Sequence, residues 1–268
     1  MKLVLKNFDL FQIDKSGQCF RWKQMESSDN SVVYFIPAFG KLLKAVQKGN
    51  EFDFSCSENE WEKIWKSYFD IERDYHEIEN KILCGRDEHL KCAFRFGHGI
   101  RILKQDIWEM IFSFMISQNN NIPRIRKSIE LISSRCGKKL SDDMYAFPNV
   151  EEIPLSIFDD TSLGLGYRAP YLRELCEYVL MHPEWIKDLE SMSYEDAYNS
   201  LIERKGIGTK VANCICLFGL GHVESFPIDT HVKKLLAKHY PNGIDLSDFE
   251  GVAGIIQQYL FYYDLNEK

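Results

Sequence analysis

Apolar positions in residues 1–55 come in short bursts separated by turn formers. Leu3-Val4-Leu5, Cys19-Phe20-Arg21-Trp22, Val32-Val33-Tyr34-Phe35-Ile36 and Leu42-Leu43-Lys44-Ala45-Val46 are rich in β-branched or aromatic residues. Lys15-Ser16-Gly17 and the Ser-Ser-Asp-Asn-Ser run at 27–31 interrupt them. That rhythm predicts an antiparallel meander of hairpins. After Ser57 the spacing changes: Trp61, Ile64, Trp65 and Phe69 recur three or four residues apart, the period of a helix face. Ser57 with Glu60 predicts a capping box at the start of that helix. Beyond residue 88 the helical period persists nearly to the end. It predicts helices over 88–96, 105–117, 123–134, 170–181 and 252–264, and another opening at Ser193-Tyr194-Glu195-Asp196. Gly97 and Gly99 end the first of these, and Pro123 suits the first turn of the third. The expectation is an α+β protein, with an antiparallel β domain and flanking helices over 1–88 and an all-helical domain over 89–268.

With 268 residues, 45% apolar and 13% aromatic, the chain has material for a sizeable core and is not of disordered type. No run approaches the ~18 apolar residues of a spanning helix, and the N-terminus lacks a signal-peptide pattern. No membrane partner is expected. The eight cysteines are expected as reduced thiols, given no secretion signal. They include no C-x-x-C pair, which argues against a zinc ribbon or an iron–sulfur cluster, so no metal centre is expected. A net charge of −7 disfavours a nonspecific nucleic-acid coat protein but leaves room for a local basic face. The acids concentrate in residues 51–80. Residues 201–240 instead carry Arg204, Lys205, Lys210, Lys233, Lys234 and Lys238 against Glu203, Glu224 and Asp229.

That basic stretch holds the pattern with the most chemistry in it. Gly206-Ile207-Gly208 between two helices permits a tight turn and leaves amides at a helix start, a cradle for a phosphate oxygen. Alone, Gly-x-Gly fits an ordinary helix turn just as well. Lys210 follows at once, where the positive end of the helix dipole disfavours an ammonium and so suits a nucleophilic amine; a solvated surface lysine is the alternative. Asp229 opens a further helix, as a plain N-cap, as a catalytic carboxylate, or as both. Cys214 lies one turn beyond Lys210 on the same face, where a structural cysteine is the commoner explanation.

The run G-I-G-T-K-V-A-N-C-I-C-L, with F-P-I-D-T-H downstream, closely resembles the helix-hairpin-helix glycosylases, specifically the eukaryotic-type 8-oxoguanine DNA glycosylase/AP lyases. S-G-Q-C-F-R-W at 16–22, S-Q-N-N-N-I-P-R at 117–124, L-G-L-G-Y-R-A-P-Y at 163–171 and Q-Q-Y-L-F-Y-Y-D-L at 257–265 follow in the right order. The resemblance covers nearly the whole chain. It implies an N-terminal β domain of the TATA-binding-protein-like kind ahead of a helix-hairpin-helix domain. By it, Lys210 attacks C1′ of a flipped nucleotide and forms a Schiff base that decays by β-elimination, while Asp229 stabilises the cationic sugar. The Gly17 carbonyl would accept from N7–H of 8-oxoguanine, a proton guanine lacks. Phe261 and Cys214 would sandwich the base, and Gln257 would read its Watson–Crick edge. Tyr167 would wedge into the vacated stack; Asn119, Arg124 and Arg168 would hold the orphaned cytosine; His231, Gly206 and Gly208 would meet the DNA backbone.

The expected partner is therefore duplex DNA containing 8-oxoguanine, bound by a monomer in a prokaryotic cytoplasm. No cofactor is expected beyond a monovalent cation on the backbone carbonyls of the hairpin. Two departures stand out. Arg204-Lys205 replaces the family's usual apolar residue and proline, adding charge that could help hold DNA, and Asn213 stands where Asp is common. Two other readings remain: a helix-hairpin-helix glycosylase for a different damaged base, and a non-catalytic DNA-binding module.

Overall fold

A computed structural model describes residues 1–26 and 31–267; most of the turn expected at 27–31 lies outside the described residues. Strands β1 (Lys2–Val4), β2 (Lys23–Met25), β3 (Val32–Ala38), β4 (Lys41–Lys48) and β5 (Glu51–Phe54) form one antiparallel sheet in the order β1-β5-β4-β3-β2. From β2 to β5 it is the expected meander. β1 departs from it by pairing with β5 at the far edge, Leu3 opposite Phe52. Alternation along β4 buries Leu43, Ala45 and Gln47 and leaves the residues between more open, as a half-covered sheet requires.

Cys19-Phe20-Arg21-Trp22 is not a strand. All four side chains are buried, at 2–6% exposure, because this segment runs between the sheet and the helices and meets protein on both sides. A short helix, Leu10–Lys15, also escaped the sequence pattern, having few apolar positions to show a period; Asp9 caps it. Ser57 does cap the helix at 58–68, but only half the capping box forms. The Glu60 carboxylate turns away to Trp65 Nε1 at 2.9 Å and to Lys41. A π-turn at Trp61–Trp65 in this helix brings both tryptophans inside.

The remaining helices follow the apolar period closely. Glu88–Phe96 has the expected bounds, and Ile107–Ser117, Ile122–Cys136, Ala169–Met181 and Ala253–Asn266 differ by two residues or fewer at each end. Asp106, Asn121 and Ser193 accept backbone N–H groups at their helix starts, satisfying donors that a helix start leaves unpaired.

There are two apolar cores. Phe8, Tyr34, Phe52, Phe54, Trp65 and Phe69 fill the one under the sheet; Ile111, Met115, Ile129, Leu172, Leu217 and Tyr259 belong to the helical one. Each takes a residue from the other's side: Phe20 packs in the helical core and Leu103 under the sheet. Polar groups complete the join. Gln18 spans Arg101 O and Leu103 N at 2.9 and 2.8 Å, and Gln105 Nε2 donates to Gln18 O at 2.8 Å. The segment carrying Gly17 is thus fixed between the cores.

Candidate active site

Helix Tyr194–Ile202 leads into the glycine turn, and helix Thr209–Ile215 leaves it. Gly206 has φ +85°, and a Cβ there would lie 2.8–2.9 Å from the Tyr171 ring, so only glycine fits without strain. Gly208 is extended, with open space around it. Gln118 Nε2 donates to Gly206 O at 2.9 Å and ties the turn to the 118–121 loop.

Lys210 sits in the first turn of Thr209–Ile215, half-buried, its Nζ 5.4 Å from the centre of the Phe114 ring. Cys214 is buried one turn on. Burial pushes its thiol pKa up, against the pull of the Lys210 charge and hydrogen bond. Asp229 caps helix Thr230–His239, its Oδ1 accepting from Val232 N at 2.8 Å; among the described residues Oδ2 has no hydrogen-bond partner. The N-cap reading of Asp229 holds, and the cap engages only one of its two carboxylate oxygens.

Lys210, Cys214 and Asp229 open onto a cavity of about 470 Å³ walled by Phe20, Phe114, Phe218 and Phe261. Gly17, Gln257 and His231 complete its rim. The Gly17 loop has φ +83°, and Gln258 holds it by donating to Ser16 O at 2.6 Å. Among the described residues no donor meets the Gly17 carbonyl. Gln257 is 5% exposed, yet among the described residues its Oε1 has no partner. An unpaired buried acceptor costs about 1–3 kcal/mol, so it marks a place where a ligand's donor belongs. His231 stands edge-on to Phe261, ring centres 5.5 Å apart. Its Nε2 lies 2.8 Å from Asp264 Oδ2, in a geometry that is not a hydrogen bond.

A cleft of about 830 Å³ adjoins this cavity and shares Lys210, Asp229 and His231 with it. Asn119, Arg124, Tyr167 and Gly208 line the cleft. Arg124 is exposed, Tyr167 is 53% exposed, and Asn119 is held at φ +46°. Two expected contact residues lie outside both hollows. Gly206 is turned against Tyr171. Arg168 is buried at 6% exposure, and its guanidinium donates to the carbonyls of Gln118, Asn119 and Leu165. It therefore clamps the loop bearing Asn119 instead of facing the cleft.

The extra cations of the hairpin are also occupied. Arg204 lies over the Tyr178 ring and pairs with Glu203, and Lys205 pairs with Glu174 at 2.9 Å. Each of the two is thus paired with an acid in the absence of DNA. Asn213 sits in a polar knot, accepting from Tyr194 Oη at 2.6 Å and Ser225 Oγ at 2.8 Å while donating to Thr209 O. Sequence reasoning gave no site role to Phe114, Gln118, Gln258 and Asp264; they lie inside predicted helices or quoted motifs, but their contacts here join distant segments.

A model of the "8-oxoguanine DNA glycosylase, N-terminal domain" family matches residues 2–111. A protein of Methanothermobacter thermautotrophicus named "Probable N-glycosylase/DNA lyase" is 26% identical, over 97% of this chain and 95% of its own. The crystal structure of the 8-oxoguanine glycosylase/lyase of Clostridium acetobutylicum, bound to duplex DNA with cytosine opposite 8-oxoguanine, superposes with a TM-score of 0.87. It is 35% identical and covers 97% of this chain and 92% of its own. A 3-methyladenine DNA glycosylase from Archaeoglobus fulgidus shares the fold at TM-score 0.74 and 19% identity.

Proposed function

Because the chain belongs to the 8-oxoguanine DNA glycosylase/lyase family and is a DNA glycosylase with lyase activity, we propose that it excises 8-oxoguanine paired with cytosine and then nicks the strand. Family membership removes the reading as a non-catalytic module. The fold shared with the 3-methyladenine enzyme leaves the choice of base to the cavity. One observation carries that choice: the cavity that joins Lys210 to Asp229 also gathers the unclaimed Gly17 carbonyl and the unpaired Gln257 oxygen.

The flipped base enters between Phe261 and Cys214, and its N7–H donates to Gly17 O. Guanine has an acceptor at N7, so it would set two acceptors face to face. The neutral amine of Lys210 attacks C1′, the C1′–N9 bond breaks, and the base leaves with the bonding pair. The Asp229 carboxylate stabilises the positive charge that develops on the sugar. Opening of the sugar ring gives the Schiff base; loss of a C2′ proton then expels the 3′ phosphate by β-elimination. Tyr167 fills the gap left in the stack, while Asn119 and Arg124 offer donors to the orphaned cytosine. Arg168 acts indirectly in this reading, by fixing the Asn119 loop. A monovalent cation on the hairpin carbonyls fits: those of Gly206 and Arg204 each accept one hydrogen bond and keep a second lone pair.

Borohydride tests the chemistry. With duplex carrying 8-oxoguanine opposite cytosine, the wild-type chain should be trapped covalently and Lys210→Gln should bind without trapping or nicking. Retained nicking by Lys210→Gln would refute the nucleophile. Arg124→Ala should flatten the ratio of excision opposite cytosine to excision opposite the other bases by about tenfold, the scale of one lost base contact. An unchanged ratio removes Arg124 from the cytosine site.

A further inference from the structure

We propose that His239, Asp264 and Glu267 form a binding site for a divalent transition-metal ion of the Zn²⁺ class, linked to the cavity rim through Asp264. Nε2 of His239 lies 3.9 Å from Asp264 Oδ1 and 3.8 Å from Glu267 Oε2. One donor atom of each residue falls within 4.8 Å of the others, and no other set of three such residues among those described gathers as closely. A tetrahedral ion with bonds of about 2.0–2.2 Å holds its ligands roughly 3.3–3.6 Å apart. Small side-chain rotations close that difference.

The imidazole supplies an independent sign of a missing ligand. His239 Nε2 is shielded from solvent and makes no hydrogen bond with any described residue, although it faces two carboxylates just beyond hydrogen-bond reach. The ring is held in place by His89, stacked on it at 3.7 Å with planes 13° apart. Lys238 Nζ, 3.0 Å from Glu267 Oε2, is the group an incoming ion displaces. One nitrogen and two carboxylate oxygens suit Zn²⁺, Co²⁺ or Ni²⁺ better than Ca²⁺ or Mg²⁺, which favour all-oxygen shells. Asp264 also pairs through its other oxygen with His231 on the cavity rim. An occupied site is therefore one residue removed from the lesion pocket.

The test is Co²⁺ titration of the full chain after chelator treatment, followed by visible absorption, with Zn²⁺ calorimetry in parallel. The expected result is one equivalent of Co²⁺ at about micromolar affinity or tighter, with the intense bands of a tetrahedral ion and no sulfur charge-transfer band. His239→Ala should weaken binding by about 100-fold and Glu267→Gln by at least about 10-fold, with far-ultraviolet circular dichroism unchanged. Glu267 is exposed, so its variant carries the test if His239→Ala fails to fold. Binding no tighter than millimolar overturns the proposal, as does unaltered affinity in the variants. A thiolate band abolished by alkylating the exposed Cys84 and Cys92 overturns it as well.

Discussion

At the scale of single residues, the groups that matter here look uneconomical until the cavity is considered. Gln257 buries an oxygen without a partner, and Gly17 presents a carbonyl to which no described residue donates. A sequence optimised for stability would remove the first with an apolar residue of similar size. Gln257→Leu is accordingly expected to leave the melting temperature unchanged or a few degrees higher while weakening binding of 8-oxoguanine duplex by about tenfold or more, the scale of a lost buried hydrogen bond. A fall in melting temperature of similar size would show that Gln257 already has a structural partner. Lys210 and Asp229 were ambiguous for the opposite reason. Each has a sound structural excuse, and Asp229 proves to be a cap as well as a rim carboxylate. Arg168 shows the limit of reading a donor from its motif: its position in the chain was right, but its guanidinium is spent on loop carbonyls.

The hairpin is the element whose local sequence says most about its geometry. Its two glycines have different physical roles. Gly206 combines positive φ with a ring against its missing Cβ, whereas Gly208 is extended and unhindered. Gly206→Ala should cost about 2 kcal/mol or more, lowering the melting temperature by roughly 4–8 °C for a chain of this size. Gly208→Ala should change it by no more than about 1 °C on the same scale. Thermal unfolding followed by circular dichroism compares them, and equal losses would refute the distinction. Helix bounds were legible because caps and apolar periods are local. The 19–22 segment was misread because burial on both sides removes the alternation that identifies a strand.

Across the whole molecule, the join between the two cores holds a buried ion pair. Arg21 lies 3.2 Å from Glu109, and both are almost wholly enclosed. Burial raises the Glu109 pKa from 4.5 to about 7, with Arg21 pulling it down and Asp106 pushing it up. The folded chain thus keeps a proton that the unfolded chain sheds at lower pH. Stability from this group is present below about pH 4.5 and is lost as pH rises to about 7, after which it changes no further. Glu109→Gln, which mimics the protonated form, should match wild type at pH 4.5 and exceed it in melting temperature at pH 8. A wild type more stable than the variant at pH 8 would reverse the sign. The join also positions a wall of the cavity, since Gln18 and Gln105 beside it fix the loop that carries Gly17.

The sequence by itself determined the α+β class, the bounds of five apolar-periodic helices to within two residues, and the pairing of Lys210 with a glycine turn, because helix periods, caps and turns depend on neighbours a few residues apart. It also carried the resemblance that names the family. The tertiary structure alone decided that β1 returns beside β5, that Gly17 and Gln257 meet across the chain, and that Arg168, Arg204 and Lys205 are already engaged. Those are contacts between distant residues, where burial and competition for partners override local preference. Lys210 and Asp229 could therefore be read along the chain, while the cavity that gathers them with Gly17 and Gln257 exists only once the two cores are joined.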